Sequence, residues 1–183
     1  MELLRTPRLV LRSWTEEDAP AFLDIYSREE VVRWLGSQPR RAAVTTLELA
    51  RERIRHRDER IAGLAAPMGL WAIVPFESGR DEPIGTVLLM PLEDDDGPTD
   101  VVEVGWHLHP DWQGRGYATE AARAVLDRAA EAGIEDVLAV IDLDNVPSQR
   151  VALRLGMTDE GLTDLWYGQT LRAYRAVLGA AAP

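Results

Sequence analysis

Apolar and polar residues alternate along several short stretches of the chain, which is the pattern of β-strands with one buried face. The clearest alternation spans 9–14, and a Gly/Asp turn separates the second of these stretches from the third. Short apolar runs bounded by glycine or proline complete the set. The predicted strands are 9–14, 70–74, 84–90, 101–108, 137–142, 162–165 and 171–178.

Stretches with helical spacing and helix-capping signals lie between these strands. Thr15 and Asp18 form a capping box, in which a hydroxyl and a carboxylate three residues apart satisfy the first amides of a helix. Proline at the start and glycine after the end mark the last helix. The predicted helices are 16–26, a short turn at 30–35, 46–61, 119–132 and 147–155.

The order of these elements predicts an α/β fold with a mixed sheet. One helix lies between the fourth and fifth predicted strands, and such a crossover joins parallel neighbours. The other connections suit antiparallel pairs, and 93–100 is predicted to be an acidic loop. We expect one domain over residues 1–183, with a core at about 3–178 and a mostly antiparallel sheet flanked by helices.

The outer face of the helix at 46–61 is rich in arginine between Arg51 and Arg60. Glutamate and aspartate residues interleave with these arginines. Mixed charges of this kind are typical of a solvated, salt-bridged helix. We therefore do not predict an anion site there.

Composition excludes several classes of chemistry. The chain has no cysteine, which removes disulfides, thiolate metal sites and cysteine nucleophiles, and its three histidines suggest no metal site. A net charge of −11 disfavours nucleic acid and anionic membranes as partners. It either favours a cationic substrate such as an amine or only aids solubility. No apolar run has the length of a membrane span or a signal peptide, so we expect a cytoplasmic protein.

One segment combines a strand end, a glycine pair and a helix start. Gly114 and Gly116 flank Arg115 after a strand that ends at Pro110. Glycine permits a sharp turn and close approach of a ligand, and the free amides at 114–119 would converge on an anion at the positive end of the helix dipole. This pattern predicts a pyrophosphate cradle, to which Arg115 can add charge. The alternative is an ordinary turn with glycines for packing.

Other phosphate loops fit this segment poorly. A Walker loop ends in Gly-Lys-Ser/Thr, and all twenty basic residues here are arginine. A dinucleotide-binding fingerprint needs a third glycine, which would fall at Thr119.

Gln113-Gly-Arg-Gly-Tyr-Ala118 resembles the acetyl-CoA signature Q/R-x-x-G-x-G/A of the GCN5-related N-acetyltransferase (GNAT) superfamily. The wider segment 112–121 and the opening 4–12 are similar to its RimJ/RimL-like branch. So are Asn145-Val-Pro-Ser148 and the following Leu153-Arg-Leu-Gly-Met157. These motifs occur in order and span about 3–178.

The resemblance implies an acetyl-CoA-dependent N-acetyltransferase, in which an amine attacks the thioester carbonyl directly within a ternary complex. It implies further that the strand before the cradle splays from its parallel neighbour and that pantetheine lies in the gap. Backbone groups near Leu108 would polarise the carbonyl or bind pantetheine. The residues that the resemblance assigns to acyl-CoA binding are Leu108, Gln113, Gly114, Arg115, Gly116, Tyr117, Ala118, Thr119, Asn145 and Arg154. A plain surface arginine is the alternative for Arg154.

The candidate bases lie on the strand before the cradle. Glu103 occupies the family's position for a carboxylate, and strand alternation places Glu103, Gly105 and His107 on one face. Either Glu103 or His107 can act as the base through water, since they are about 13 Å apart along a strand. The alternatives are a structural ion pair for Glu103 and a satisfied site-lining or core histidine for His107.

The candidate acid departs from the commonest family pattern. Many GNAT enzymes protonate the leaving thiolate with a tyrosine, whose place here is taken by Ala152. The RimJ/RimL-like alternative is a serine, which corresponds to Ser148, with helix capping as its other role. Tyr167 and Tyr174 are weaker candidates.

Three hypotheses about the function remain, two of which differ in the acceptor. By analogy with the RimJ/RimL-like branch it is a protein N-terminal amine; otherwise it is a small-molecule amine, including an antibiotic. The third hypothesis is a sensor that binds acyl-CoA without turnover. Glu103 and Ser148 favour an enzyme, but fold does not determine substrate. A homodimer is also compatible, because dimerisation is common in this branch.

Overall fold

The alternating apolar positions form the strands of one eight-stranded sheet. The computed structural model describes residues 3–36, 42–76, 81–94 and 96–179. The strands are β1 (Leu4–Arg5), β2 (Leu9–Arg12), β3 (Gly69–Pro75), β4 (Gly85–Asp94), β5 (Gly97–Leu108), β6 (Asp136–Ile141), β7 (Thr158–Thr163) and β8 (Leu171–Val177). Across the sheet they run in the order β1-β2-β3-β4-β5-β6-β8-β7.

The strand pairing is antiparallel throughout the described sheet except between β5 and β6, which are parallel. This confirms the mixed sheet and the predicted crossover. The register of β5 and β6 consists of one pair, Glu103 with Leu138. Beyond it the two strands share no further register pair, so a gap opens between them towards their carboxyl ends.

The helices are α1 (Ala19–Tyr26), α2 (Glu29–Val32), α3 (Leu47–Ala62), α4 (Tyr117–Glu131) and α5 (Val146–Arg154). The predicted helix at 16–26 divides into a 3₁₀ turn, Glu16–Asp18, followed by α1. Pro20 explains the division, because it has no N–H to donate within a continuous helix. The capping box is confirmed, since the Asp18 carboxylate accepts the Thr15 N–H at 2.8 Å.

The prediction of an acidic loop at 93–100 is wrong. Strand β4 continues to Asp94, β5 begins at Gly97, and these two residues face each other across a hairpin. The Asp94 carboxylate accepts the amides of Asp96 and Gly97 at 2.9 and 3.1 Å. The acidic residue therefore stabilises a tight turn instead of marking a long loop.

Several other boundaries also differ from the prediction. The strand predicted at 162–165 is β7, which ends at Thr163, and the two-residue strand β1 was not predicted. Strand β7 is mostly exposed at the sheet edge, so its apolar pattern is weak. The Gly/Asp turn between β3 and β4 falls partly at 77–80, outside the described residues.

The two faces of the sheet carry separate cores. One face packs against α4 and contains Val87, Val104 and Leu108. The opposite face contains Leu70 and Ala72 and packs against α1 to α3, which contribute Phe22 and Ile54. Alternate residues of β5 therefore belong to different faces, and Glu103, Gly105 and His107 lie on the side of α3. None of the helices within the described ranges has the length and apolarity required to cross a membrane.

Candidate active site

A cavity of about 1410 Å³ is centred on the gap between β5 and β6. Its wall includes residues 103–108 of β5 and 139–141 of β6, beyond the point where the strands pair. It also includes residues from α3 on one face of the sheet and from α4 and α5 on the other. An extended ligand can therefore pass from one face to the other through the gap.

All thirteen residues predicted for the site line this single cavity. They are Glu103, His107, Leu108, Gln113, Gly114, Arg115, Gly116, Tyr117, Ala118, Thr119, Asn145, Ser148 and Arg154. The described residues contain no group of three or more His, Cys, Asp or Glu placed to hold a metal ion.

The glycine loop before α4 has the conformation that an anion cradle requires. Gly114 and Gly116 have φ values of 75° and 83°, in the left-handed region that favours glycine. Gly116 is the N-cap of α4, and its carbonyl accepts the Glu120 N–H at 3.0 Å. The amides ahead of Glu120 have no carbonyl within the helix to bond, so they can converge on a phosphate.

Packing does not explain these glycines. A Cβ at Gly114 would meet no atom within 4 Å, and one at Gly116 would meet only the Arg8 Nη2 at 3.4 Å. The reason for glycine is therefore the backbone conformation of the loop. This observation disfavours an ordinary turn in which the glycines serve packing.

Arg8, which was not predicted as a site residue, holds the cradle in place. Its guanidinium donates to the Glu120 carboxylate at 2.6 Å and to the Arg115 carbonyl at 3.0 Å, and lies 4.8 Å from the Tyr117 ring centroid. Although burial opposes it, hydrogen bonding from Thr6 and Arg8 lowers the pKa of Glu120. Glu120 thus stays ionised and anchors the loop. The signal available in the sequence was the position of Arg8 within the segment 4–12.

The side chains around the cradle connect it to the ends of β5 and α5. Gln113 donates its Nε2 to the Leu108 carbonyl at 3.2 Å, which fixes the backbone where β5 ends. Arg154 Nε lies 3.4 Å from Thr119 Oγ1. The Arg115 guanidinium lies 4.8 Å from the Trp112 ring centroid. Arg154 and Arg115 therefore place two cations beside the amides at the start of α4.

Glu103 lies where the gap between β5 and β6 begins, and its carboxyl is hydrogen-bonded to a tyrosine. Tyr167 donates its hydroxyl to Glu103 Oε2 at 2.5 Å. Burial of the carboxyl raises the pKa of Glu103 to about 7, and the Tyr167 hydrogen bond and the nearby Arg60 offset part of that rise. Among the described residues Glu103 forms no ion pair, which disfavours the structural role considered for it. A carboxyl that is half ionised at neutral pH can accept a proton.

Tyr167 is held in an unusual backbone conformation. Its φ is 58°, in the left-handed region that a bulky residue rarely adopts. Burial and the adjacent Glu103 raise the pKa of its hydroxyl. The hydroxyl therefore stays protonated and donates to Glu103. Tyr174 is buried and does not line the cavity.

Replacing Tyr167 by Phe should raise the pKa of Glu103 above its value of about 7, because the hydrogen bond that stabilises the carboxylate is lost. Carbon-13 NMR titration of the glutamate side chains measures this value. Tyr174→Phe, whose hydroxyl lies by Gln149 and not Glu103, serves as the control. An equal or lower Glu103 pKa in Tyr167→Phe would contradict the assigned contact.

His107 belongs to a hydrogen-bonded network on the same face as Glu103. Its Nδ1 lies 2.9 Å from the Tyr26 hydroxyl, which lies 2.6 Å from Thr86 Oγ1. Trp14 donates its indole N–H to the same Thr86 oxygen at 3.2 Å. The network holds the imidazole against the wall of the cavity. This arrangement matches a satisfied, site-lining histidine and favours Glu103 as the base.

Ser148 projects a hydroxyl that capping does not use. Asn145 is the N-cap of α5, and its Oδ1 accepts the Ser148 N–H at 3.3 Å. The Ser148 hydroxyl itself has no hydrogen-bond partner among the described residues, and Ser148 lines the cavity. The capping role considered for Ser148 is therefore taken by Asn145. Ala152 is fully buried in the core that packs against α4.

Helix α3 differs from its interpretation as a purely solvated helix. Part of it fits that interpretation, since Arg55 pairs with Glu16 at 3.0 Å. Four of its other basic side chains, however, line the cavity on the face of the sheet that carries Glu103: Arg53, His56, Arg57 and Arg60. Sequence reasoning missed them because opposite charges interleave along this helix.

Comparison with known proteins agrees with this geometry. A family model described as an acetyltransferase (GNAT) domain matches residues 8–158. The uncharacterized N-acetyltransferase YnaD of Bacillus subtilis (strain 168) is 40% identical over 60 residues, which are 32% of this chain and 35% of that protein. The uncharacterized N-acetyltransferase p20 of Bacillus licheniformis is 28% identical over 163 residues, which are 88% of this chain and 85% of that protein.

A solved structure shares the fold over nearly the full length of both chains. It is RimL, a ribosomal L7/L12 alpha-N-protein acetyltransferase in complex with coenzyme A. Its TM-score is 0.75 at 20% sequence identity, with 98% of this chain and 100% of that chain covered. At this identity the likeness shows a common fold.

Proposed function

This chain belongs to the GNAT acetyltransferase family, and from that premise we propose that it transfers the acetyl group of acetyl-CoA to the α-amine at the N-terminus of a protein or peptide. The proposed N-acetyltransferase domain spans residues 1–183, with its core at about 3–178. One observation carries the proposal. The anion cradle, the strand gap and a carboxyl with a pKa of about 7 line the same cavity.

The α4 side of the cavity suits the acyl donor. The amides at the start of α4 bind the pyrophosphate of acetyl-CoA, and Arg115 and Arg154 add positive charge beside them. Pantetheine lies in the gap between β5 and β6, where Asn145 and the backbone near Leu108 line the wall. The thioester then faces the opposite side of the sheet, on which Glu103 lies. The coenzyme supplies an activated acetyl group, and the protein positions it.

Glu103 removes the proton from the attacking amine, directly or through water. A pKa of about 7 makes the carboxylate available near neutral pH while keeping it basic enough to accept a proton. As the new C–N bond forms, backbone groups near Leu108 stabilise the charge that develops on the carbonyl oxygen. The C–S bond then breaks, and the Ser148 hydroxyl donates its proton to the thiolate. Solvent returns that proton to Ser148 and takes the other from Glu103.

The structural neighbour RimL supports the choice of acceptor. That protein is described as an alpha-N-protein acetyltransferase, and it shares the fold over 98% of this chain. A thiol-release assay with acetyl-CoA tests the proposal against N-terminal peptides, internal lysine peptides and small-molecule amines. Turnover with N-terminal peptides is expected. Turnover confined to small amines would show that the acceptor is a small molecule and not a peptide. Tight CoA binding with no turnover would indicate a sensor.

Replacing Ser148 by Ala should lower kcat about 100-fold, because the thiolate loses its proton donor. The Kd for coenzyme A should stay within about twofold, since Asn145 caps the helix without the Ser148 side chain. Stopped-flow thiol release and isothermal titration calorimetry measure the two quantities. Ser27→Ala, at an exposed serine outside the cavity, is the control. An unchanged kcat in Ser148→Ala would remove this serine from the mechanism.

A further inference from the structure

We propose that the acceptor carries a carboxylate close to its amine, supplied by an acidic side chain near the peptide N-terminus, and that Arg53 binds it. This inference rests on the proposed function and names the class of peptide that the site prefers. It starts from the cationic side chains of α3 in the cavity wall, which the mechanism above does not use.

Three arginines and one histidine of this wall share one face of α3. Residues 53, 56, 57 and 60 are spaced at i, i+3, i+4 and i+7, which brings their side chains together on a helix. All of them line the cavity. They lie on the face of the sheet that packs against α1 to α3, whereas the phosphate cradle lies at the start of α4 on the other face. They are therefore placed for the acceptor and not for the phosphates of coenzyme A.

Two of these arginines are already engaged. The Arg57 guanidinium lies 4.5 Å from the ring centroids of both Phe22 and Tyr26, and its Nη1 is 3.4 Å from Thr86 Oγ1. Arg60 forms an ion pair with Glu93. Both side chains are thus held by protein contacts, which leaves them less able to reorient towards a ligand.

Arg53 is different. It is partly buried and lines the cavity. Within the part of the chain that the structure describes, it makes no hydrogen bond, ion pair or ring contact. A half-buried guanidinium facing a cavity without a counter-ion is a site for an anion, because bidentate binding of a carboxylate would satisfy its N–H groups.

The charge balance of this wall has the opposite sign to the chain as a whole. Four arginines line the acceptor side against three carboxyl groups, of which Glu93 is paired with Arg60 and Glu103 is only half ionised near neutral pH. These lining residues are Arg33, Arg53, Arg57 and Arg60, and Glu30, Glu93 and Glu103. The net charge of the protein is −11. A local positive wall inside an acidic protein attracts an acidic substrate segment to this position.

Helix geometry sets the expected position of the acidic residue. Arg53 lies about 10 Å along the helix axis from Arg60 at roughly 1.5 Å per residue, and Arg60 is close enough to lower the pKa of Glu103. The amine must lie near Glu103. An extended peptide covers about 10 Å in three residues. We therefore place the preferred acidic side chain at the third or fourth residue of the acceptor.

The test uses matched peptides in the presence of the unmodified and variant proteins. Peptides of one sequence carry Glu, Gln or Lys at the third or fourth position, and thiol release gives kcat and KM for each. The Glu peptide should have a KM roughly tenfold lower than the Gln peptide, as expected for one charge-assisted hydrogen bond. Arg53→Gln should abolish that difference, and Arg53→Lys should keep part of it.

Arg55→Gln is the matched control, because Arg55 is an exposed arginine of the same helix that pairs with Glu16 outside the cavity. It should retain the full preference for the Glu peptide. The Kd of coenzyme A for each variant reports that the fold and the cradle are intact. Equal KM values for the Glu and Gln peptides, or a preference that survives in Arg53→Gln, would overturn the inference.

Binding separates this inference from the proposed function. Calorimetric titration of the same peptides into the protein loaded with coenzyme A measures the preference without turnover. If no peptide is acetylated but the Glu peptide binds more tightly through Arg53, the proposed activity fails and the anion site stands. If peptides are acetylated without any preference in binding or KM, the activity stands and the anion site fails.

Discussion

Replacing Glu103 by Gln should lower kcat at least 100-fold while the Kd for acetyl-CoA stays unchanged. The substitution keeps the shape of the side chain and removes the carboxylate that accepts the proton of the amine, a function worth about 10²–10⁴ in rate. Tyr167 can still donate to the amide oxygen of Gln. The loss should therefore be in chemistry and not in folding. Thiol release under saturating acetyl-CoA measures it.

The pH profile of the same variant provides an independent readout. In the unmodified protein, Glu103 is protonated below a pKa of about 7 and cannot act as a base. The value of kcat/KM should therefore rise with pH through about 7. The part of this rise near pH 7 should disappear in Glu103→Gln, which leaves only the rise due to the α-amine of the acceptor, whose own pKa is about 8. Glu135→Gln, at an exposed position outside the cavity, should keep both the rate and the rise near pH 7. An unchanged profile near pH 7 in Glu103→Gln would exclude Glu103 as the base.

Thermal stability shows whether Glu103→Gln is folded, and the pKa of Glu103 determines the direction in which its Tm changes with pH. Because burial raises the pKa of Glu103 in the folded state, ionising this group costs stability. The cost is small at pH 4, grows as the pH rises from 4.5 to about 7, and is constant above that. The Tm of Glu103→Gln minus the Tm of the unmodified protein should therefore be larger at pH 8 than at pH 5. A folded, stable variant without activity is the expected outcome.

Replacing Gly116 by Val should weaken binding of coenzyme A about 100-fold or more. The φ of 83° at this position is costly for any residue with a Cβ and most of all for a β-branched one. The added side chain would also crowd the Arg8 guanidinium, whose Nη2 would lie 3.4 Å from the new Cβ. Loss of the turn moves the amides that bind pyrophosphate. Isothermal titration calorimetry with coenzyme A measures the change.

Gly133→Val is the control for backbone strain. Gly133 has a φ of 82°, follows the opposite end of α4, and has no atom within 4 Å of an added Cβ. Both variants should lose about 1–2 kcal/mol of stability from the left-handed conformation. Only Gly116→Val should lose affinity for coenzyme A. Similar affinity in both variants would contradict the cradle assigned to this loop.

The features predicted correctly depend on residues that are close in the chain. The capping box at Thr15 and Asp18, the glycine loop at 114–116 and the parallel crossover each follow from local pattern or chain order. Strand alternation likewise placed Glu103 and His107 on one face. The hairpin between β4 and β5 was missed because acidic residues there serve turn geometry instead of loop solvation.

The arrangements that were not predictable join residues far apart in the chain. Tyr167 is 64 residues from Glu103, and Arg8 is 112 residues from Glu120. No periodicity or motif spacing encodes such contacts, because they exist only after the sheet brings the strands and loops together. The pKa of Glu103 is of the same kind, since it depends on how completely the surrounding elements bury the carboxyl.

Local chemistry thus determined where an anion cradle can form, which elements carry it and which residues are candidates for proton transfer. Glycine conformation and strand alternation act over a few residues, so they can be read before any folding is known. Packing decided the rest. It places Arg53 of a salt-bridged helix in the wall of the cavity, and it determines the pKa of Glu103. It also makes Asn145 the N-cap of α5, which leaves the Ser148 hydroxyl without a partner among the described residues. Each of these depends on burial and on neighbours that only the folded chain supplies.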